Sequence, residues 1–432
     1  MEKFEQTATP PPRLTQDAGL RPQCLGFKEV LGSSLGSMGL TGTVIIGVPI
    51  VFARGGAFTP LIFLAAMCAF LVVAAQINVF ARKIATHGSL YDYVDWVFGA
   101  KVGAVAGWAI MIAYVASVPA YLATGPYALI HMVQTGLGAN PGHHEFVIIA
   151  FAVMLLASWF SIRNVTISTR AALAIDFISL GILALVALEY WPGLDVFSSG
   201  ITMHPDIAPQ FLAGLPLAMT CFTGFETACV FGVEAKHPLT DIPRTNWLTV
   251  LVTGGVTFAA SGSLIGIYHT LPPDYEAAPL SVLVDAGGAQ WGLSILLVAA
   301  ALSWFGCLLG CLNTGGRLLY SLALQGQLWK AVGYIHPRFE TPIIAITMIA
   351  ATGIAATTSL ILADVAIMDI LIGTATVAAP CILLAYAMVS AAAVVERWRN
   401  AEKHQRWIYA VAGALAIVSM LFPMLGLMTS LE

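Results

Sequence analysis

Charge is what this chain has least of. Lys, Arg, Asp and Glu together make up 10% of its 432 residues, where a soluble domain carries about 25%. So little charge cannot cover a water-soluble globule, and the 58% apolar content asks for a different solvent. The sequence has no block of basic residues, which argues against a nucleic-acid partner. It has no H-E-x-x-H, and no nucleophile–base set or metal cluster suggests a membrane enzyme. The first 28 residues are polar and include Pro10, Pro11 and Pro12. Without an apolar core and cleavage site they read as a disordered cytosolic tail, not a signal peptide.

Cysteine is scarce where it would tie to a partner. The seven are Cys24, Cys68, Cys221, Cys229, Cys307, Cys311 and Cys381, and all but Cys24 fall in apolar segments. None falls in a predicted outside loop, so no disulfide-linked accessory subunit is expected. Cys307 and Cys311 share a helix face but have no His or carboxylate beside them. They read as small packing residues, with no metal and no cofactor implied.

What is abundant is length of apolar run. A spanning helix needs about 20 mainly apolar residues, and eleven such spans are predicted: 29–53, 60–81, 103–133, 145–163, 170–191, 209–234, 246–270, 289–324, 342–362, 365–395 and 406–428. Eighteen of the nineteen Lys and Arg residues fall on one side of this serpentine, and Arg54 is the exception. The basic side is the cytoplasmic one. The N-terminus is therefore expected inside, and an odd number of spans puts the C-terminus outside a plasma or inner membrane. The stretch His87–Ala100 is too polar to span. Tyr91, Val94 and Phe98 recur there at helical spacing, which predicts a short amphipathic helix on the cytoplasmic surface.

Two spans look broken. The first carries Gly32, Gly36, Gly39, Gly42 and Gly47 before Pro49; the sixth carries Pro216, Gly224 and Gly232 around Glu226. Glycine alone also serves close helix packing. Interruptions five spans apart instead predict two inverted halves, spans 1–5 (29–191) and 6–10 (209–395), with span 11 (406–428) added. That is the transporter pattern in which unwound midpoints face a substrate site.

The residues around the second break carry a resemblance. Phe222–Arg244 (FTGFETACVFGVEAKHPLTDIPR), Asn313–Gly326 (NTGGRLLYSLALQG) running into His336–Pro342, and Gly88–Gly99 (GSLYDYVDWVFG) are similar to the amino acid–polyamine–organocation (APC) superfamily of permeases. Those motifs fall in the family's order over helices 1 through 9. Three positions depart from it. The usual Gly-x-Gly-Ile of helix 1 is here Thr41-Gly42-Thr43-Val44, the Arg-Asp after helix 8 is Leu324-Gln325, and residues 171–190 hold no Lys of the kind some proton-coupled members carry in helix 5. The resemblance implies a leucine-transporter-type, all-α membrane fold and an amino acid or related amine as substrate.

On this reading, backbone N–H groups around Gly39, Thr41, Gly42 and Thr43 bind a carboxylate at a half-helix N-terminus. Carbonyls around Thr220, Phe222, Thr223, Gly224 and Phe225 accept from an ammonium. Glu226 is a carboxylate at membrane depth, which is expensive and usually functional. It either takes a proton or cation, or ties down the broken helix. Asp176 either pairs with Arg170 or sits in a gating network. Tyr114, Tyr121, Phe225 and Trp304 either gate or line a cavity, or pack; Phe225, beside the break, is the aromatic expected in the site. Ser303, Thr314 and Ser179 are candidate sodium ligands, although membrane-helix hydroxyls more often bond backbone.

The sequence thus predicts a secondary active transporter of amino acids working by alternating access. It is driven by H+ or by exchange, with Na+ the less favoured ion. The alternative is a polyamine or organic-amine transporter that sets Glu226 against the cation. A non-transporting sensor is the third reading, and it would normally add a soluble output domain.

Overall fold

The structure is a computed structural model, and it describes residues 19–137, 142–163, 165–190, 207–268, 290–400 and 402–429. Of the predicted outside loops 134–144, 192–208 and 271–288, residues 138–141, 192–206 and 271–288 lie outside the described residues. Among the described residues there is no strand, only an isolated parallel bridge between Leu25 and Ala235.

Long helices coincide with the apolar runs. The first run is α1 (Phe27–Met38), a short turn of helix (Leu40–Gly42), a π-helical turn (Thr43–Gly47) and α2 (Val48–Gly55). Then come α3 (Thr59–Ala81), α4 (Leu90–Phe98), α5 (Ala100–Leu137), α6 (His143–Arg163), α7 (Val165–Tyr190) and α8 (Ile207–Thr220). A 3-10 segment, Phe225–Phe231, follows α8, and after it α9 (Pro238–Tyr268), α10 (Gln290–Leu324), α11 (Ile343–Leu362), α12 (Ile367–Asn400) and α13 (Lys403–Thr429). Nine helical stretches among the described residues are long and apolar enough to cross a membrane. One of them, Phe27–Ala81, turns at Gly56–Phe58. Both its ends then reach the same segment: Leu25 pairs with Ala235, and the Thr86 carbonyl just past α3 accepts from Gly232 N–H at 2.9 Å.

The core is aromatic at the centre. Phe70 of α3 meets Phe222, Phe225 and Tyr386 with ring centroids 5.3, 5.7 and 5.8 Å apart. Tilted and edge-on aromatic pairs of this kind add about 0.5–1.5 kcal/mol each beyond their burial.

One side of the molecule is sealed by polar contacts. Arg317 of α10 and Glu234, both fully buried, form a two-pronged pair at 2.5 and 2.8 Å. Arg317 also donates to the Asn313 carbonyl at 3.0 Å and lies over the Phe231 ring. Leu25 N–H donates to the Glu234 carbonyl at 2.9 Å, and Lys236 N–H returns a bond to Leu25 at 2.8 Å. Part of the stretch expected to be a disordered tail is therefore held in place. Residues 1–18 lie outside the described part, whereas residues 23–25 are laid against the segment after the second break. Their backbone partners are long-range and carry no sequence pattern.

The amphipathic helix is present as α4, with one difference. Tyr91 and Val94 are buried as expected, but so are Leu90, Asp92 and Tyr93, while Phe98 is exposed. Tyr93 stacks on Phe80 of α3, so the helix is packed under the bundle and not laid on a lipid surface.

Candidate functional site

Both interruptions are real changes of backbone direction. Gly39 sits at φ +56°, in the left-handed region that glycine adopts without penalty. A β-carbon there would come within 2.3 Å of Cys307 Sγ. Gly224 sits at φ +98°, directly before a seven-residue 3-10 stretch. Runs of 3-10 helix that long are uncommon. A β-carbon on Gly224 would lie 3.3 Å from the Ser37 carbonyl, so the two breaks face each other.

Between them lies a cavity of about 1140 Å³. It runs from Ser37, Gly39 and Gly224 toward Arg54, Leu212 and Met368, away from the Arg317–Glu234 side. Of the predicted site residues, Gly39, Gly42, Thr43, Thr220, Thr223, Gly224, Tyr114 and Trp304 line it, and so does Tyr121. Among the described residues no carboxylate does, and Arg54 is the formal charge on its wall.

Five predicted residues lie behind that wall. Thr41 is fully buried, and its hydroxyl has no hydrogen-bond partner among the described residues. Phe222 and Phe225 belong to the aromatic core, so Phe225 does not line the cavity. The reason is the 3-10 turn, which rotates residue 225 toward α3 and α12.

Glu226 is buried at 1% exposure. Tyr114 OH donates to its Oε1 at 2.8 Å and Tyr386 OH to its Oε2 at 2.5 Å. Gly224 N–H reaches the Tyr386 oxygen at 3.4 Å, and Tyr114 OH lies 3.2 Å from Thr227 Oγ1. The carboxylate thus knits α5, the second break and α12 together. Tyr386 has no motif around it and was not foreseeable from sequence. Tyr386→Phe is expected to cost about 1.5–3 kcal/mol, the range for a hydrogen bond to a charged group, read as a lower melting temperature in detergent. An unchanged melting temperature would show that this contact does not hold the break.

Asp176, the fifth, is 4% exposed, and neither carboxylate oxygen has a hydrogen-bond partner among the described residues. It does not pair with Arg170, whose Nε bonds Glu29 Oε1 at 2.9 Å. Six residues are about 1.7 turns of helix, which puts the two side chains on well-separated faces. Asp176 instead points between α1 and α10: β-carbons on Gly36 and Gly306 would lie 3.4 and 3.8 Å from its oxygens.

The hydroxyls proposed for sodium do not converge. Ser303 Oγ accepts Gly42 N–H at 3.0 Å, and Ser179 donates to the Asp176 carbonyl at 3.1 Å. Thr314 lies eleven residues beyond Ser303 on the same helix, about 16 Å away. The run Gly32-Ser33-Ser34-Leu35-Gly36 has the spacing of a hydrolase nucleophile. It lies inside α1, however, where Ser34 Oγ accepts Ala228 N–H at 3.0 Å. Cys221, Cys307 and Cys311, expected to be packing residues, also reach the cavity wall.

The profile of the amino acid permease family matches residues 25–430. The chain belongs to that family. It is a multi-pass membrane transporter, and its relatives are distant. An uncharacterized transporter of Mycobacterium tuberculosis is 25% identical over 325 residues, 74% of this chain and 70% of that one. A branched-chain amino acid permease of Lactococcus lactis is 25% identical over 281 residues, 58% of this chain and 57% of that one. Among solved structures, a nucleobase-cation-symport-1 family transporter holding bromovinylhydantoin superposes with a TM-score of 0.61 at 13% identity, covering 96% of this permease and 94% of that chain. That likeness speaks for the fold alone: the permease shares the leucine-transporter-type architecture.

Proposed function

We propose that this permease is a proton-coupled secondary transporter of neutral amino acids, with eleven crossings and two inverted halves that alternate access around the two breaks. The observation that carries this reading is the cavity between the breaks, lined by no carboxylate among the described residues and lying apart from the buried Arg317–Glu234 pair. If the basic loops are cytoplasmic, that cavity opens outward. The helix restarting at Leu40 offers N–H groups and a positive dipole end to a substrate carboxylate. The turn at 221–224 offers carbonyls to the ammonium. Gly42 N–H is held by Ser303, and Gly39 N–H by the Leu35 and Gly36 carbonyls. The cradle is therefore left the backbone amides of Leu40 and Thr41, between the lining residues Gly39 and Gly42. The branched-chain substrate named for the Lactococcus relative favours an apolar side chain. A polyamine would need a free carboxylate in the cavity, and Glu226 lies behind its wall with both oxygens taken.

Coupling is assigned to Asp176. An intramembrane carboxylate is costly unless it is paired or functional, and this one has no partner among the described residues. It sits where α1 and α10 pack beside the break, so its protonation state bears on that contact. In proteoliposomes, an inward-directed proton gradient is expected to drive accumulation of leucine or a similar amino acid. Asp176→Asn is expected to bind it, seen as thermal stabilisation by mass action, yet to take it up only to equilibrium. Gradient-driven accumulation by Asp176→Asn overturns the coupling assignment. Stabilisation by polyamines and by no amino acid overturns the substrate.

A further inference from the structure

A second cavity, of about 390 Å³, lies at the ends of α3 and α12 and the start of α13. It belongs neither to the substrate route nor to the sealed side's ion pair. Arg82, Lys83, Arg397, Trp247, Gln405 and Tyr409 line it, and Glu396 is the acid among them. Glu396 takes Lys83 at 2.8 Å. Arg397 is held against Gln76 Oε1 at 3.4 Å and the Ala75 carbonyl at 3.2 Å, with its guanidinium over the Tyr409 ring. No ion pair of Arg82 or Arg397 is found among the described residues, and with Glu396 on Lys83 the pocket holds three basic side chains against one acid.

The walls say what kind of anion fits. The pocket sits at the ends of three apolar helices, α3, α12 and α13, where the headgroups of a spanned bilayer would lie. Trp247 and Tyr409 are residues suited to that depth. From it two exposed apolar rows run along the flanking helices, Leu248 and Leu251 on α9, Ile408 and Val411 on α13. Small and apolar Ala75 and Val79 of α3 form the floor between them. Basic pockets between membrane helices are suited to anionic headgroups, and a free anion would have no use for the apolar rows. We propose that this pocket binds an anionic phospholipid, with Arg82 and Arg397 on the phosphate and the acyl chains in the groove between α9 and α13.

The test uses the purified full-length permease in detergent, titrated with phosphatidylglycerol, phosphatidylcholine or glycerol 3-phosphate. Thermal stabilisation and native mass spectrometry of bound lipid are read together. Phosphatidylglycerol is expected to stabilise more than phosphatidylcholine. Arg82→Gln and Arg397→Gln are each expected to weaken its apparent affinity about fivefold, the worth of one basic residue near an anionic headgroup. Lys330→Gln, exposed elsewhere, is expected to leave it unchanged. Equal response to the two lipids, or wild-type affinity in the double variant, overturns the proposal. So does glycerol 3-phosphate matching phosphatidylglycerol, because that identifies a soluble-phosphate site. If Arg397→Gln does not fold, exposed Arg82 carries the test alone.

Discussion

Arg317→Leu is expected to lose about 3–5 kcal/mol of stability, the range for removing one partner of a buried ion pair. Both side chains are fully excluded from solvent, and the two bonds between them are short. The arginine alone satisfies both Glu234 oxygens, the Asn313 carbonyl and the face of Phe231. Removing it strands a carboxylate in a space built for a guanidinium. Most of the loss is that uncompensated charge, which sets up a second comparison. Arg317→Met with Glu234→Leu removes both charges and is expected to recover much of the stability, as apolar replacement of buried pairs does elsewhere. Recovery of folding need not restore function. The pair holds Leu25 and the segment after the second break on the sealed side, so the double variant is expected to exchange amide hydrogens faster over residues 231–236. A single variant as stable as wild type would mean that Glu234 finds another partner.

Gly39→Ala is expected to abolish uptake while the protein still inserts. Two costs coincide at this position. A non-glycine residue held in the left-handed region loses roughly 1–2 kcal/mol. Its β-carbon would also meet Cys307 Sγ at 2.3 Å, and forcing an extra carbon into a packed site costs about 1–3 kcal/mol. The backbone can escape both by straightening, but straightening closes the interruption that faces the cavity. Adding Cys307→Ala relieves the clash and not the dihedral, so it is expected to restore stability partly and uptake poorly. Uptake by Gly39→Ala at a rate near wild type would remove the first break from the transport site.

Much of this was legible locally. The glycine clusters mark both interruptions, and the positive φ angles fall on Gly39 and Gly224, two of the residues named from sequence. Helix positions follow from runs of apolar residues: each predicted span overlaps a helix, and nine stretches among the described residues are long and apolar enough to cross a membrane. The side chains around the breaks were less legible. Phe225 sits one residue from an interruption and still faces the core, because a 3-10 turn advances side chains by a different angle from an α-helix. Asp176 and Arg170 invited pairing by being neighbours in sequence, but Arg170 is taken by Glu29, 141 residues away. Glu226 was recognised as unusual, whereas its partners Tyr114 and Tyr386 stand 112 and 160 residues off and bear no spacing relation to it.

The sequence by itself determined the solvent, the family, the run of helices and the two places where helix stops. All of these depend on composition, motifs and hydrophobic runs within about 20 residues, and on glycine's backbone freedom. The tertiary structure alone decided which carboxylate is satisfied and which is bare, which face of each break meets the cavity, and which side is shut. Those outcomes depend on what a side chain touches once distant helices are packed, and hydrogen-bond partners more than a hundred residues apart leave no periodic trace along the chain.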